Sequence, residues 1–418
     1  MSSPVTSHTA APARRLLQLA LAGLAAAVIA ACGGGGVGAG GTGATASGTV
    51  NGFGSVIVNG VRYDDSAATV SSDDNSDDST DDNKLRIGMQ VGIETDDSCA
   101  IDATACVARA FVHDTALAGD ISAVNLTAGS GTITVLGQTV NIGATTAVYP
   151  AGSSLTTHQV VKIHGRRTAT GAFNATYVEV KAADVATLII NKPKFQFRLT
   201  GLLNKTAGTV AGQPVNLAGV SVSGIADGAL VRVRITPAAS PAPTGGWVVA
   251  RIEARGDKAK ALKNRLRVEV QGLVSDVAST AQGTTFNIDG VPVLVPSGLQ
   301  LNGVTLVNDA FVEVKGAINA NGVLVVTKIE VGSDESEREF HVNASEIPDA
   351  SVDTTLNRFT VSKSRTDDLV VEYTDGQPVL VGITDSIFAT AFTGTLEIKG
   401  TINPTTGHLV ATRIKRDN

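Results

Sequence analysis

The stretch Leu306-Val307-Asn308-Asp309-Ala310-Phe311-Val312-Glu313-Val314 carries the pattern that decides the fold. An apolar residue opens it, a turn-former stands three residues on, and apolar residues follow six and eight residues on. Period-two alternation puts Val312 and Val314 on one face of a strand and Glu313 on the other. The pattern recurs as Leu85-Gly88-Val91-Ile93, Leu155-His158-Val161-Ile163 and Ile225-Gly228-Val231-Val233. Gly92, Lys162 and Arg232 take the place of Glu313 and are expected to face solvent. A fifth copy keeps only the strand, Leu396-Glu397-Ile398-Lys399.

Downstream of each copy lies a closing motif: Val107-Ala108-Arg109, Ala175-Thr176-Tyr177-Val178, Val249-Ala250-Arg251-Ile252, Val326-Thr327-Lys328-Ile329 and Ala411-Thr412-Arg413-Ile414. The connections are rich in turn-formers, such as Asn319-Ala320-Asn321-Gly322 and Asn403-Pro404-Thr405-Thr406-Gly407, as hairpins require. Upstream, each of the first four copies opens with a hairpin signal: Asn59-Gly60, Leu136-Gly137, Ala211-Gly212 or Asp289-Gly290. The fifth lacks it.

Each unit is thus about five short strands with a modest core. A sheet that small does best by curling closed, which removes its edges. The sequence predicts an all-β chain of tandem five-stranded, OB-like barrels, with a rolled meander as the alternative. The repeats fall at 47–115, 116–182, 195–255, 267–332 and 338–418. Each is expected to enclose its own core and to behave semi-independently. Helix signal is scarce, and Asp257–Arg267 is the one mature stretch that could form one.

Composition agrees. The chain has 418 residues, 45 of them Gly, with only 4% aromatics and a net charge of −6. An acidic, aromatic-poor chain lacks the basic footprint of a nucleic-acid binder.

The amino terminus reads as an export signal over residues 1–31. Arg14 and Arg15 precede the uncharged apolar run Leu16–Ala31, which is shorter than the roughly 20 residues that cross a bilayer. The run ends Ile29-Ala30-Ala31-Cys32, similar to a bacterial lipobox, which implies lipid modification of Cys32. Residues 32–46 are almost pure Gly and small residues, a flexible tether. Gly33 after the cysteine, rather than an acid, points to the outer membrane, with the protein facing the periplasm. Cys99 and Cys106 are the remaining cysteines, and in an oxidising compartment so close a pair reads as a disulfide.

The opening stretch Ser47-Gly48-Thr49-Val50-Asn51-Gly52-Phe53-Gly54-Ser55-Val56-Ile57-Val58-Asn59-Gly60-Val61-Arg62-Tyr63, with the repeats, resembles bacterial lipoproteins carrying domain of unknown function 5666. The resemblance is strongest in repeat one and weakest in repeat five. It implies tandem β domains on an envelope lipoprotein and brings no catalytic residues with it.

Few residues suggest chemistry. In the insertion 73–83, Asp73, Asn75 and Asp77 match the first three ligand positions of a calcium loop. However, Asp78 stands where that loop needs Gly, and Lys84 where it needs Glu. A solvated insertion is the plainer reading, with a weak Ca2+ site as the only cofactor raised. His158 and His164 would lie about 20 Å apart on an extended strand, and His158 sits where sister repeats have a turn Gly. Glu253 and Glu330 read as solvated. The run Arg251, Arg255, Lys258, Lys260, Lys263, Arg265 and Arg267 spans a basic linker at 256–266.

These features predict a non-catalytic, lipid-anchored protein whose modules bind an envelope protein or act as a scaffold. The alternative is a glycan or small-molecule module using the barrel faces. It requires exposed aromatics at equivalent positions, and Phe53, Tyr63, Phe173, Trp247, Phe286 and Phe340 do not recur that way.

Overall fold

The computed structural model describes residues 45–72, 84–96, 99–100, 103–255, 267–332, 336–363, 366–376, 378–384, 387, 393–403 and 405–417. The expected export signal at 1–31, Cys32, the acidic insertion with Asp73, Asn75 and Asp77, and the linker 256–266 lie outside these residues.

Repeat one contains β1 (Thr45–Phe53), β2 (Val56–Val58), β3 (Val61–Asp64), β4 (Thr69–Ser72), β5 (Gln90–Thr95) and β6 (Ala105–His113). β1, β2 and β3 run as an antiparallel meander, β3 pairs parallel with β6, and β6 returns through antiparallel β5 to β1. The ring closes, and β4 adds a parallel strand beside β6.

Repeat two repeats this order with β7 (Leu117–Thr127), β8 (Ser130–Val135), β9 (Gln138–Ile142), β10 (Ala147–Tyr149), β11 (Val160–Arg167) and β12 (Phe173–Ala182). Repeat three has β13 (Phe197–Asn204), β14 (Thr209–Val210), β15 (Gln213–Asn216), β16 (Leu230–Ile235) and β17 (Trp247–Ala254). Repeat four has β18 (Val268–Thr280), β19 (Gly283–Ile288), β20 (Val291–Pro296), β21 (Phe311–Ile318) and β22 (Leu324–Val331).

Repeat five departs, as its missing turn signal suggests. Its strands are β23 (Arg338–Asn343), β24 (Arg358–Val361), β25 (Leu369–Glu372), β26 (Leu380–Val381), β27 (Thr395–Ile402) and β28 (Leu409–Asp417). Two 3-10 turns, Ala344–Glu346 and Asp349–Ser351, separate β23 from β24.

The turns explain the motifs. Asn59, Leu136, Ala211 and Asp289 have φ of 54°, 46°, 51° and 46°, each followed by a Gly also at positive φ. Two residues at positive φ give the turn whose twist matches a two-residue hairpin. The turn-former of the long motif is left-handed as well: Gly88, His158, Gly228 and Asp309 at 88°, 72°, 75° and 65°. Its backbone N–H donates to the first strand of its own barrel, at Val50, Ile121, Leu203 and Val274 respectively. His158 is therefore a turn residue.

The apolar pairs Val91/Ile93, Val161/Ile163, Val231/Val233 and Val312/Val314 are all buried. The residues between them lie on the opposite face, but that face is not solvated. Lys162, Arg232 and Glu313 are only 3%, 6% and 7% exposed. Neighbouring chain covers the outer strand face: Arg232 donates to Asp114 Oδ1 at 3.0 Å and the Thr115 carbonyl at 3.1 Å. Glu313 pairs with Lys315 at 3.0 Å, and Lys315 with Glu269 of the same barrel at 3.4 Å.

The expectation of five separate cores fails for the same reason. Repeats one and five share one core, which Tyr177 of repeat two joins, repeats two and three share another, and repeat four alone encloses its own. β1 pairs parallel with β18 through Thr45–Ser47 and with β23 through Gly52 and Phe53. A Cβ on Gly52 would lie 1.7 Å from the Glu339 carbonyl oxygen, so only glycine permits that approach. Between repeats two and three, α1 (Val185–Asn191) is capped by the Asp184 carboxylate, which accepts from Thr187 N at 2.7 Å. The joint there had carried no helix signal.

Candidate functional site

The register of β1 against β23 sets Phe53 beside Phe340, ring centroids 6.2 Å apart. These two rings, from repeats one and five, help form a cleft of about 140 Å³. Repeat one adds Leu85, Arg86 and Ile87; repeat two adds Thr146 to Tyr149 and Tyr177; repeat five adds Val361, Leu369 and Ile402. Phe53, Leu85, Tyr177, Phe340 and Val361 are buried, so the floor is aromatic and aliphatic.

Arg86 is 7% exposed and lies over the Tyr149 ring, 4.0 Å from its centroid, a cation–π contact. Its Nε donates to Asp367 Oδ2, and Lys84 Nζ reaches Asp367 Oδ1 at 2.7 Å. Burial alone would raise the Asp367 pKa, but Arg86 and Lys84 hold the carboxyl below its ordinary range. Burial pushes the Tyr177 phenol well above its ordinary value and Glu179 acts in the same direction, so Tyr177 stays neutral. Several other polar groups of the lining also have partners. Lys363 pairs with Glu346 at 2.8 Å, and Thr146 Oγ1 donates to the Ala175 carbonyl at 2.7 Å. Thr366 Oγ1 donates to the Lys363 carbonyl, and Asn403 Oδ1 accepts from Thr405 N at 2.9 Å.

The residues singled out in the sequence lie elsewhere. Cys99 and Cys106 form a disulfide with Cα atoms 5.1 Å apart. Arg267 Nη1 donates to the Cys99 carbonyl at 3.2 Å, and Arg267 Nη2 to Glu269 at 2.7 Å. Arg255 is 4% exposed and joins Asp114 at 2.9 Å and Asp289. Arg255 and Arg267, the residues on either side of the linker 256–266, are thus buried ties between repeats. Glu253 and Glu330 are partly exposed and pair with Arg251 and Lys328 on their own strands.

His164 is fully buried and distant from the His158 turn in role. Its Nδ1 accepts from Gln90 N at 3.2 Å, and its ring packs edge-on against Tyr177 and His113. Among the described residues, no group of three or more His, Cys, Asp or Glu is placed to hold a metal ion.

Sequence reasoning missed the cleft because its walls come from three repeats. One signal was available: Gly52, beside Phe53 inside a strand, marks a close approach of another backbone.

A search of curated proteins finds no match. Comparison with protein families matches two regions, residues 118–179 and 271–330, to the domain of unknown function DUF5666. They fall in repeats two and four, and the stretch 47–63 that first suggested the resemblance lies outside both. Two regions of the chain thus match DUF5666, and each lies in a closed β-barrel, an arrangement consistent with tandem repeats of this domain.

Proposed function

We propose that this is a non-catalytic binding protein of the bacterial cell envelope, anchored through a lipid on Cys32, whose ligand enters the cleft shared by repeats one, two and five. The convergence of Phe53, Tyr149, Tyr177 and Phe340 supports this reading. The aromatics do not recur from barrel to barrel; residues from different barrels meet at one place. A ligand module with one composite site needs no equivalent ring in every repeat. Concave, mostly apolar sites with a few placed polar groups are the usual form of ligand pockets.

The absence of catalysis is part of the same proposal: the cleft's charged groups are tied to one another rather than aimed at a common point. A scaffolding role draws on a separate observation, the pairing of β1 with both β18 and β23, which fixes the spacing of three barrels.

The test is to purify the protein and its Leu369→Trp variant from native membranes and compare their small-molecule extracts by mass spectrometry. A near-stoichiometric species present with the first and missing from the second supports binding in the cleft. Identical extracts sink it. For the anchor, Cys32→Ser should move the protein from the detergent phase to the aqueous phase, and unchanged partition refutes lipidation there.

A further inference from the structure

We infer that the cleft takes an uncharged, mainly apolar ring, and selects against both carboxylates and sugars. The inference rests on the binding reading above and specifies its ligand. Three observations carry it.

The first is the floor. Phe53, Leu85, Phe340 and Val361 are all 6% exposed or less and present carbon to the cavity. An apolar ligand surface placed there leaves water at no polar cost.

The second is the state of the polar wall. Arg86 shares Asp367 with Lys84, and Lys363 is held by Glu346. Thr146, Thr366 and Asn403 are likewise engaged. An entering carboxylate would have to break one of these pairs to regain the hydration it loses. A sugar would lay several hydroxyls against a floor of carbon, and burying them without partners is unfavourable.

The third is size. About 140 Å³ is close to the roughly 150 Å³ of an engineered apolar cavity that admits benzene. A small aromatic or alicyclic ring system fits this volume. Arg86 lies over the Tyr149 ring in the cleft wall, and both groups offer a flat surface to a planar ligand.

Ligand-observed saturation-transfer NMR on the full chain tests this with three probes: indole, indole-3-carboxylate and methyl β-glucopyranoside. Indole should receive saturation, and Leu369→Trp, which fills the cavity, should weaken its binding about tenfold or more. Ile402→Phe fills the same space from β27 and serves if the first variant does not fold. Indole-3-carboxylate should bind about tenfold more weakly than indole, reflecting the uncompensated desolvation of its charge, and the glycoside should show no transfer. If the carboxylate or the glycoside binds as well as indole and responds to the filling variants, the ligand class is wrong while the cleft remains a binding site. If none of the probes responds to either variant, the binding reading falls with it.

Discussion

Repeats four and one share a ring of five strands but differ in what lies outside it. In β22 of repeat four, buried and more exposed residues largely alternate, with one face inward and the other toward water. In β1 of repeat one, every residue but Ser47 is buried. Its inner face fills the barrel, while its edge and outer face meet β18 and β23. One motif can therefore give a self-contained barrel or half of a fused one. The inward face sets the barrel, and the outward face sets its neighbours.

Core substitutions should separate the two cases most strongly. Val312→Asp and Val231→Asp each bury an unpaired carboxylate, at a cost of roughly 4 kcal/mol or more. Hydrogen exchange after Val312→Asp should rise in repeat four alone. After Val231→Asp it should rise in repeats two and three together, since they share a core. Continued protection of repeat two in that variant would restore the picture of independent beads.

The outward face comes next. Arg232→Leu removes one buried partner of Asp114, which keeps Arg255, and should cost about 1.5–3 kcal/mol in local opening free energy. Arg251→Leu, whose partner Glu253 is partly exposed, should stay within about 0.5 kcal/mol. Equal effects would mean that burial of the outer face contributes little.

Removing the disulfide is a perturbation of similar size. Cys106→Ser should lower stability of repeat one by about 2.5 kcal/mol on chain-entropy grounds. It should also speed exchange at the start of β18, because Arg267 donates to the Cys99 carbonyl. Thiol labelling of the unreduced, denatured protein should find neither cysteine free. An effect confined to repeat one would show that the loop does not brace repeat four.

pH should give the smallest effect, at the face shared by repeats one and five. His341 bridges Glu339 at 2.7 Å and Asp417 at 2.6 Å. Its hydrogen bond, with help from Lys399, lowers the Glu339 pKa to about 2 from 4.5. That stability is complete above pH 4.5 and disappears as pH falls through about 2. Burial opposes charge on His341, but the two carboxylates outweigh it and raise its pKa above 6.5. Its contribution is complete below pH 6.5 and disappears as pH rises through the raised value. Exchange at β23, corrected for the intrinsic pH dependence of amide exchange, should therefore be slowest between pH 4.5 and 6.5, by about 1 kcal/mol or less after screening. His341→Gln should flatten the rise on the alkaline side; an unchanged profile would rule this bridge out.

What was legible in the sequence was local. Asn59-Gly60 and Asp289-Gly290 specify turns through backbone conformation, and the pairs such as Val91/Ile93 specify an inward face through the pleat. The Cys99–Cys106 pairing followed from short separation. The outer face was not legible, because Arg232 and Glu313 resemble solvated residues until another segment covers them. Arg255 resembled one more linker cation, and only the fold brings Asp114 and Asp289 to it. The cleft was hidden for the same reason: Tyr149, Phe53 and Phe340 acquire a common purpose only through contacts between repeats.

The placement of β1 also bears on how the molecule is made. Synthesis releases this strand before any other described segment, yet its outer partners β18 and β23 belong to the final two barrels. The hydrogen bond from Arg338 to Asn51 closes 287 residues of sequence. Closing so long a loop is slow, since its entropy is lost before the contact forms. In the interval β1 keeps an unsatisfied edge, the kind of surface on which nascent chains aggregate. A chain truncated after repeat three would retain that edge permanently, so the carboxyl-terminal barrels complete the first one and act as its built-in guard against misassembly.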